Sequence, residues 1–392
     1  MRNFLTIVMV LWLCVPFFGL AEEKRDDHSK YVQHVEQGFD FMFQGNNQKA
    51  ISEFEAALVL EPDHAEILHY LGMAYTQEQF WNRAVESYQR SLTLMPDNIE
   101  TLYSLGVVYF RLDKWADAVP ALQRVVELSP QHARGYEVLG KSFVKLRRYG
   151  DAVPILTKAL ELRPQAAGTY YELGTAQLNL KEYTAAIENF KLALRYGPGR
   201  YAEPHYGLGT AYLRLGDREK SRAEMQIYQQ LQKEYAEYER LTRLTRAEPK
   251  NLEAWTGLAT VLMNQKNYGK AVQVFQRCIE LAPNDATFHH GLSRAFMNLN
   301  YPKHAVQAAQ RAIQLRPNQA ILYNTLGSSY AMQGDQKNAL VAFQKAVELD
   351  GEQPYYHLNL SKLYQSLGNQ KLAQEHYRAY EHFLSVQKSK QK

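Results

Sequence analysis

The chain has 392 residues, 46% apolar and 22% charged, an ordinary globular composition that excludes a disordered chain, a collagen-like rod and a coiled coil. Its formal net charge is +4, or +3 once Arg2 in the leader is set aside, too thin an excess over this length to mark a nucleic-acid binder. Of the two cysteines only Cys278 lies beyond the leader, so no internal disulfide and no cysteine metal site can form in the exported part.

The leader comes first. Met1 and Arg2 give a short positive start, Phe4 to Leu20 is an uncharged apolar run, and Gly19-Leu20-Ala21 places small residues at −3 and −1 of a cut after Ala21. This is a signal-peptide pattern. Glu22, Glu23, Lys24, Arg25, Asp26 and Asp27 then sum to −2, and positive before with negative after directs the body across a membrane. The alternative is an uncleaved anchor, because residues 4–20 reach the short limit of a spanning helix. Cys14 is no lipid-attachment site, since Leu13 precedes it where a small residue is required. Residues 22–30 read as a linker.

From residue 31 a repeat takes over. Gly38, Gly72, Gly106, Gly140 and Gly174 stand 34 apart, and Gly209 follows after 35. Ala259, Ser293, Gly327 and Ser361 form a second series at the same period. Leucine precedes the small residue in nine of the ten repeats, with Gln37 the departure. A large apolar residue follows three later (Phe41, Tyr75, Tyr109, Phe143, Tyr212, Phe296, Tyr330, Tyr364), with Gln177 an exception. Alanine stands twelve later in every repeat but the sixth, which has Ser221, and proline closes most repeats. Leu, Gly and Tyr at spacings of one and three share a helix face. Gly45-Asn46, Gly216-Asp217, Gly334-Asp335 and Gly368-Asn369 each pair a helix-ending glycine with a residue suited to cap the next helix. Pro302 suits a helix start, whereas Pro120 and Pro154 fall inside second helices and predict local kinks.

This pattern resembles the tetratricopeptide repeat, W-x2-L-G-x2-Y…A-x3-F…P over 34 residues. The resemblance implies an all-α fold, an alpha-alpha superhelix or solenoid of about ten helical hairpins, with repeats 1–6 over residues 31–232 and repeats 7–10 over 252–387. One hairpin cannot bury its apolar face alone, but stacked neighbours can. Cys278 takes a slot filled by Ala57, Ala159, Ala193, Ala312 and Ala346 elsewhere, so it reads as a small core residue.

Between the arms, Arg218 to about Arg246 has no proline or glycine, and Met225, Tyr228, Leu231, Tyr235, Tyr238, Leu241 and Leu244 recur at threes and fours. Residues 217–250 therefore read as an insertion built on an extended amphipathic helix or two successive ones, whose roughly 29 residues from Arg218 would run about 43 Å at about 1.5 Å per residue. Its stripe either packs on the seventh repeat or offers a docking or self-association face. Residues 388–392 are a basic, frayed tail.

In tetratricopeptide proteins the first helix of each hairpin lines a concave groove. By position this resemblance turns Phe39, Phe43, Met73, Tyr103, Val107 and Phe110 inward in the first arm, an apolar stretch. In the second arm it turns Asn264, His290, Arg294, Asn298, Asn324 and Lys362 inward, with Asn359 beside them, a donor-rich stretch. An extended peptide with an apolar end and an acidic or carboxylate end fits that set, since arginine and asparagine can clamp a carboxylate. His290, Arg294, Asn324 and Lys362 loosely resemble the clamp of chaperone-tail-binding family members, with the set incomplete. Glu66, Glu100, Glu203 and Glu253 near first-helix starts, and Arg111, Lys145 and Arg214 near their ends, oppose the helix dipoles.

No zinc-protease, P-loop, serine-hydrolase or dinucleotide motif occurs. His289 and His290 point to different sides of one helix and make no metal site. Asn359-Leu360-Ser361 is a glycosylation triplet on a predicted helix, where chance accounts for it. The expectation is a non-enzymatic, cofactor-free scaffold or adaptor, exported and periplasmic. It binds a partner protein or peptide in assembly or retention of an envelope complex, contacts no nucleic acid and touches membrane only through an uncleaved leader. The alternative is a periplasmic solenoid that guides a polysaccharide during export.

Overall fold

The computed structural model describes residues 27–199 and 201–390; the leader, Cys14 and the end of the basic tail lie outside them. Every regular element among the described residues is a helix. The chain divides into two compact units at Tyr228 and Gln229. In the first unit, hairpins pair α1 (residues 27–43) with α2 (Asn47–Leu60), α3 (Ala65–Gln77) with α4 (Trp81–Leu94), and α5 (Ile99–Arg111) with α6 (Trp115–Leu128). Then α7 (Ala133–Lys145) pairs with α8 (Tyr149–Leu162), α9 (Ala167–Asn179) with α10 (Tyr183–Tyr196), and α11 (Glu203–Arg214) with the start of α12 (Arg218–Ala247). The second unit holds the rest of α12, then α13 (Leu252–Asn264) with α14 (Tyr268–Leu281) and α15 (Ala286–Asn298) with α16 (Pro302–Leu315). It ends with α17 (Ala320–Gln333) on α18 (Gln336–Leu349) and α19 (Pro354–Ser366) on α20 (Gln370–Lys390).

Local chemistry sets these boundaries. The side chains of Asn98, Asn251 and Asp335 accept from the backbone N–H groups of Thr101, Ala254 and Asn338 at 2.9, 3.0 and 3.1 Å. Each cap satisfies an otherwise orphaned donor in a helix's first turn. Between the helices of every hairpin one residue turns left-handed. It is glycine at Gly45, Gly216, Gly334 and Gly368, and a side-chain-bearing residue at Gln79, Asp113, Arg147, Lys181, Lys266 and Asn300. The next N–H reaches back over the turn, as Phe80 does to the Tyr75 carbonyl at 2.8 Å, closing the C-terminal end of the first helix. Helices α6 and α8 run on through Pro120 and Pro154, both of which stand exposed.

The small residue in each first helix explains the close packing within hairpins. A methyl group at Gly72 would sit 2.6 Å from the Tyr88 ring, and one at Gly327 2.6 Å from the Phe343 ring. Where serine takes that slot, its hydroxyl turns polar need into a bond across the hairpin. Ser293 donates to the Ala305 carbonyl and Ser361 to the Ala373 carbonyl, both at 2.8 Å. In the first unit Phe54, Leu68, Tyr88, Leu122, Leu139, Leu156, Phe190 and Leu208 are sealed from solvent. Leu262, Leu322 and Leu360 are sealed in the second, and each such side chain contributes about 1.5–3 kcal/mol by leaving water. Cys278 is fully buried, and burial pushes its thiol up to about 11.

One bond recurs between hairpins. Gln89 donates to the Tyr109 hydroxyl, Gln310 to that of Tyr330 and Gln344 to that of Tyr364, at 2.9, 3.0 and 3.0 Å and always 20 residues apart. The Tyr75 hydroxyl makes the same connection to the Glu55 carboxylate. These bonds fix the register of one hairpin on the next.

Candidate partner-binding walls

Successive first helices pack on one another: α3 on α5, α5 on α7, α7 on α9 and α9 on α11 in the first unit, α15 on α17 and α17 on α19 in the second. Among α2 to α10 and α14 to α18, successive second helices make no comparable contact. Within each unit the first helices therefore crowd together on the inner side of a curve, and their solvent-facing side chains form its wall.

The wall of the first unit is apolar at its beginning. Phe39 is 38% exposed and meets Tyr70 edge-on at 4.7 Å and Phe54 at 5.4 Å. Phe43 is 95% exposed and joins no other side chain of the set. Met73 packs into the first core cluster, while Tyr103, half-buried with its phenol raised by burial, tilts against His132 at 4.9 Å. Val107 and Phe110 are half-buried. The site residues of this unit thus separate: Phe39 packs on Tyr70, Met73 packs into the core, and Tyr103 sits against His132. Farther along, burial raises the Glu172 carboxyl, with Lys145 and Lys141 pulling the other way.

The wall of the second unit is polar and more tightly knit than its sequence suggests. The Thr325 hydroxyl lies 2.9 Å from both the Ile321 carbonyl and His290 Nε2, a bond from this wall to the neighbouring repeat. Burial, and then the Arg294 charge, push the His290 pKa down to about 4. Asn359 donates to the Asn324 side-chain oxygen at 2.8 Å, and Asn298 donates to the Arg294 carbonyl on its own helix. Asn264 stands exposed at the end of α13. Arg294 and Lys362 are exposed and have no ion pair among the described residues. The structure thus joins His290 and Asn324 to the neighbouring repeat, and leaves Arg294, Lys362 and Asn264 facing solvent. Asn359 is half-buried in its bond to Asn324, as a structural amide would be.

Sequence reasoning missed Thr325, Tyr70 and the His69–Thr101 bond at 2.9 Å, which repeats the histidine–threonine connection in the first unit. Neither threonine stood at an inward position, so spacing carried no signal for them. No group of three or more His, Cys, Asp or Glu side chains gathers as a metal site among the described residues, and no described helix is long and apolar enough to cross a membrane. A 480 Å³ cleft lined by Glu55, Tyr75, Arg83 and Arg90 lies between α2, α3 and α4.

Three family models described as tetratricopeptide repeat match this chain. One covers residues 103–167, 137–201, 171–239 and 290–357, another 63–131 and the third 252–285. Comparison with curated proteins finds no match. Among solved structures, a crystal structure of MamA protein is similar at 25% identity, covering 43% of this chain and 92% of that one with a TM-score of 0.42. MamA 41-end from Desulfovibrio magneticus RS-1 is similar at 21% identity, covering 43% of this chain and 95% of that one with a TM-score of 0.41.

Proposed function

Because the chain belongs to the tetratricopeptide repeat family, we propose that it is a non-catalytic scaffold, exported to the cell envelope, that holds a partner protein or peptide against its first-helix walls. The observation that carries this reading is the second-unit wall, where Arg294 and Lys362 stand exposed without an ion pair among the described residues. Two cations beside a fixed amide pair suit an extended segment bearing carboxylates, because charge-assisted bonds to such donors are short and strong. In the first unit, Phe39 and Phe43 offer apolar contact to a partner's side chains. Export to the envelope, with the periplasm as destination, rests on the leader pattern of Met1 to Ala21. Assembly or retention of an envelope complex is the task such a scaffold would perform.

The test is affinity capture from the native envelope with residues 22–392 as bait, beside a bait carrying Arg294→Glu and Lys362→Glu. The double variant should lose an acidic partner that the parent retains. Unchanged capture would remove the second-unit wall from the reading. A glycan array run on the same material should stay blank, and saturable binding of a polysaccharide there would favour the export-guide alternative.

A further inference from the structure

In three hairpins the first and second helices are joined by a polar pair 19 residues apart. His34 meets the Glu53 carboxylate at 2.7 Å and His205 meets that of Glu224 at 2.6 Å, but in the last hairpin His357 Nδ1 faces His376 Nδ1 at 3.0 Å. The difference is chemical. A carboxylate accepts from an imidazole whether the ring is neutral or protonated, whereas two imidazoles can bond only while one Nδ1 is bare.

The protons of the last pair can be placed. His357 Nε2 lies 2.9 Å from the Gly351 carbonyl, which can only accept, so that nitrogen carries hydrogen. Neutral His357 then has a bare Nδ1, and His376 must donate to it. His357 is 7% exposed and stacks on Phe383 at 5.5 Å, while His376 stacks on Tyr364 at 5.6 Å. One buried ring thus ties α19 to the loop before it and to α20 at two points. Beyond Phe383, α20 runs on to Lys390, and Phe383, Val386 and Gln387 form a 210 Å³ cleft with Asp350, Glu352, Gln353 and Pro354.

We propose that the His357–His376 pair makes the last hairpin an acid-sensitive cap, closed while the pair is neutral and loosened at α20 when both rings are protonated. A proton on His357 Nδ1 sets donor against donor and places two positive rings side by side. Burial and the His357 charge both lower the His376 pKa, with Glu375 opposing them. Tyr364 on α19 stacks on His376, and the charged groups nearest on the loop, Asp350 and Glu352, line the cleft with Phe383. Toward α19, α18 buries Ala339, Ala342, Phe343 and Ala346 and adds the neutral Gln344. Because the folded value of His376 lies below 6.5, the closed state is fully held above that pH and is lost as pH falls beneath it. Opening would uncover Leu360, Leu363 and Tyr364, which α20 now covers with Ala373 and Leu372. A solenoid depends on its terminal hairpin to shield such a face.

Hydrogen exchange of the full chain tests this, with rates corrected for the intrinsic effect of pH. Between pH 7.5 and 5 the α20 amides should lose about tenfold in protection, while those of α18 lose much less. His376→Gln offers His357 either an N–H or an oxygen, so this variant should keep α20 protected at both pH values. His376→Lys still donates to the bare His357 Nδ1 at pH 7.5 but leaves a fixed charge there, so α20 should stay protected at pH 7.5 and lose more protection than the parent at pH 5, with α15 to α18 still protected as the control for folding. An α20 response that is flat with pH, or one that survives in His376→Gln, overturns the proposal.

Discussion

His290 offers a test of how far burial on the second-unit wall controls stability. The unfolded ring takes up a proton near pH 6.5 and the folded ring only near pH 4. Between those values the unfolded chain holds more protons, so stability is complete above pH 6.5 and falls as the pH drops toward 4. At pH 4.5 the two titration curves place the loss at about 2.5 kcal/mol, using about 1.4 kcal/mol per tenfold change in proton affinity. The structural source is a ring held neutral by burial, bonded to Thr325, with the Arg294 charge discouraging a proton. Stacked hairpins open locally rather than all at once. The appropriate measurement is therefore the opening free energy of α15 to α17, read by hydrogen exchange at pH 7.5 and 4.5 in the parent and in His290→Gln. The parent should lose about 2.5 kcal/mol more than the variant across that interval. Equal losses in the two proteins, within about 0.5 kcal/mol, would refute the reasoning, because the other titrating groups are common to both.

The left-handed turn residues give a second prediction. Arg147→Gly and Lys181→Gly should each stabilise their hairpins by about 0.5–1 kcal/mol, and Gly334→Ala should cost a similar amount, measured by thermal or urea unfolding. Gly327→Ala should destabilise by about 1–3 kcal/mol, because the added methyl meets the Phe343 ring in a packed hairpin; a neutral result in a urea melt would show that the ring can yield.

The hairpins were legible because two helices packed across a glycine demand a small residue at a fixed step, and that demand repeats with the chain's own period. Gly72 against Tyr88 and Gly327 against Phe343 are what the 34-residue series encodes. The turns were half legible. Gly216 and Gly334 announce themselves, but Gln79 or Lys181 at the same phase gives no conformational hint, since its left-handed backbone is imposed by the helices on either side. For the walls, the repeat pattern offers positions and no networks. Position put His290 and Asn324 on the inner side, but their bonds run to Thr325 and Asn359 of the next repeat. Such a bond depends on the offset between neighbouring hairpins, a property of packing rather than of the pattern within one repeat. The same holds for His357 and His376, whose spacing of 19 is shared with His34 and Glu53 but whose chemistry emerges only when both rings are seen in contact.

The glutamine–tyrosine bonds between hairpins always span 20 residues, wherever they occur. A chain joined by such short-range ties can be lengthened or shortened by a whole repeat at an internal junction without asking any remaining residue to find a distant new mate. Gene duplication could therefore add a hairpin to this protein in one step, and the time needed to fold would depend little on how many had been added.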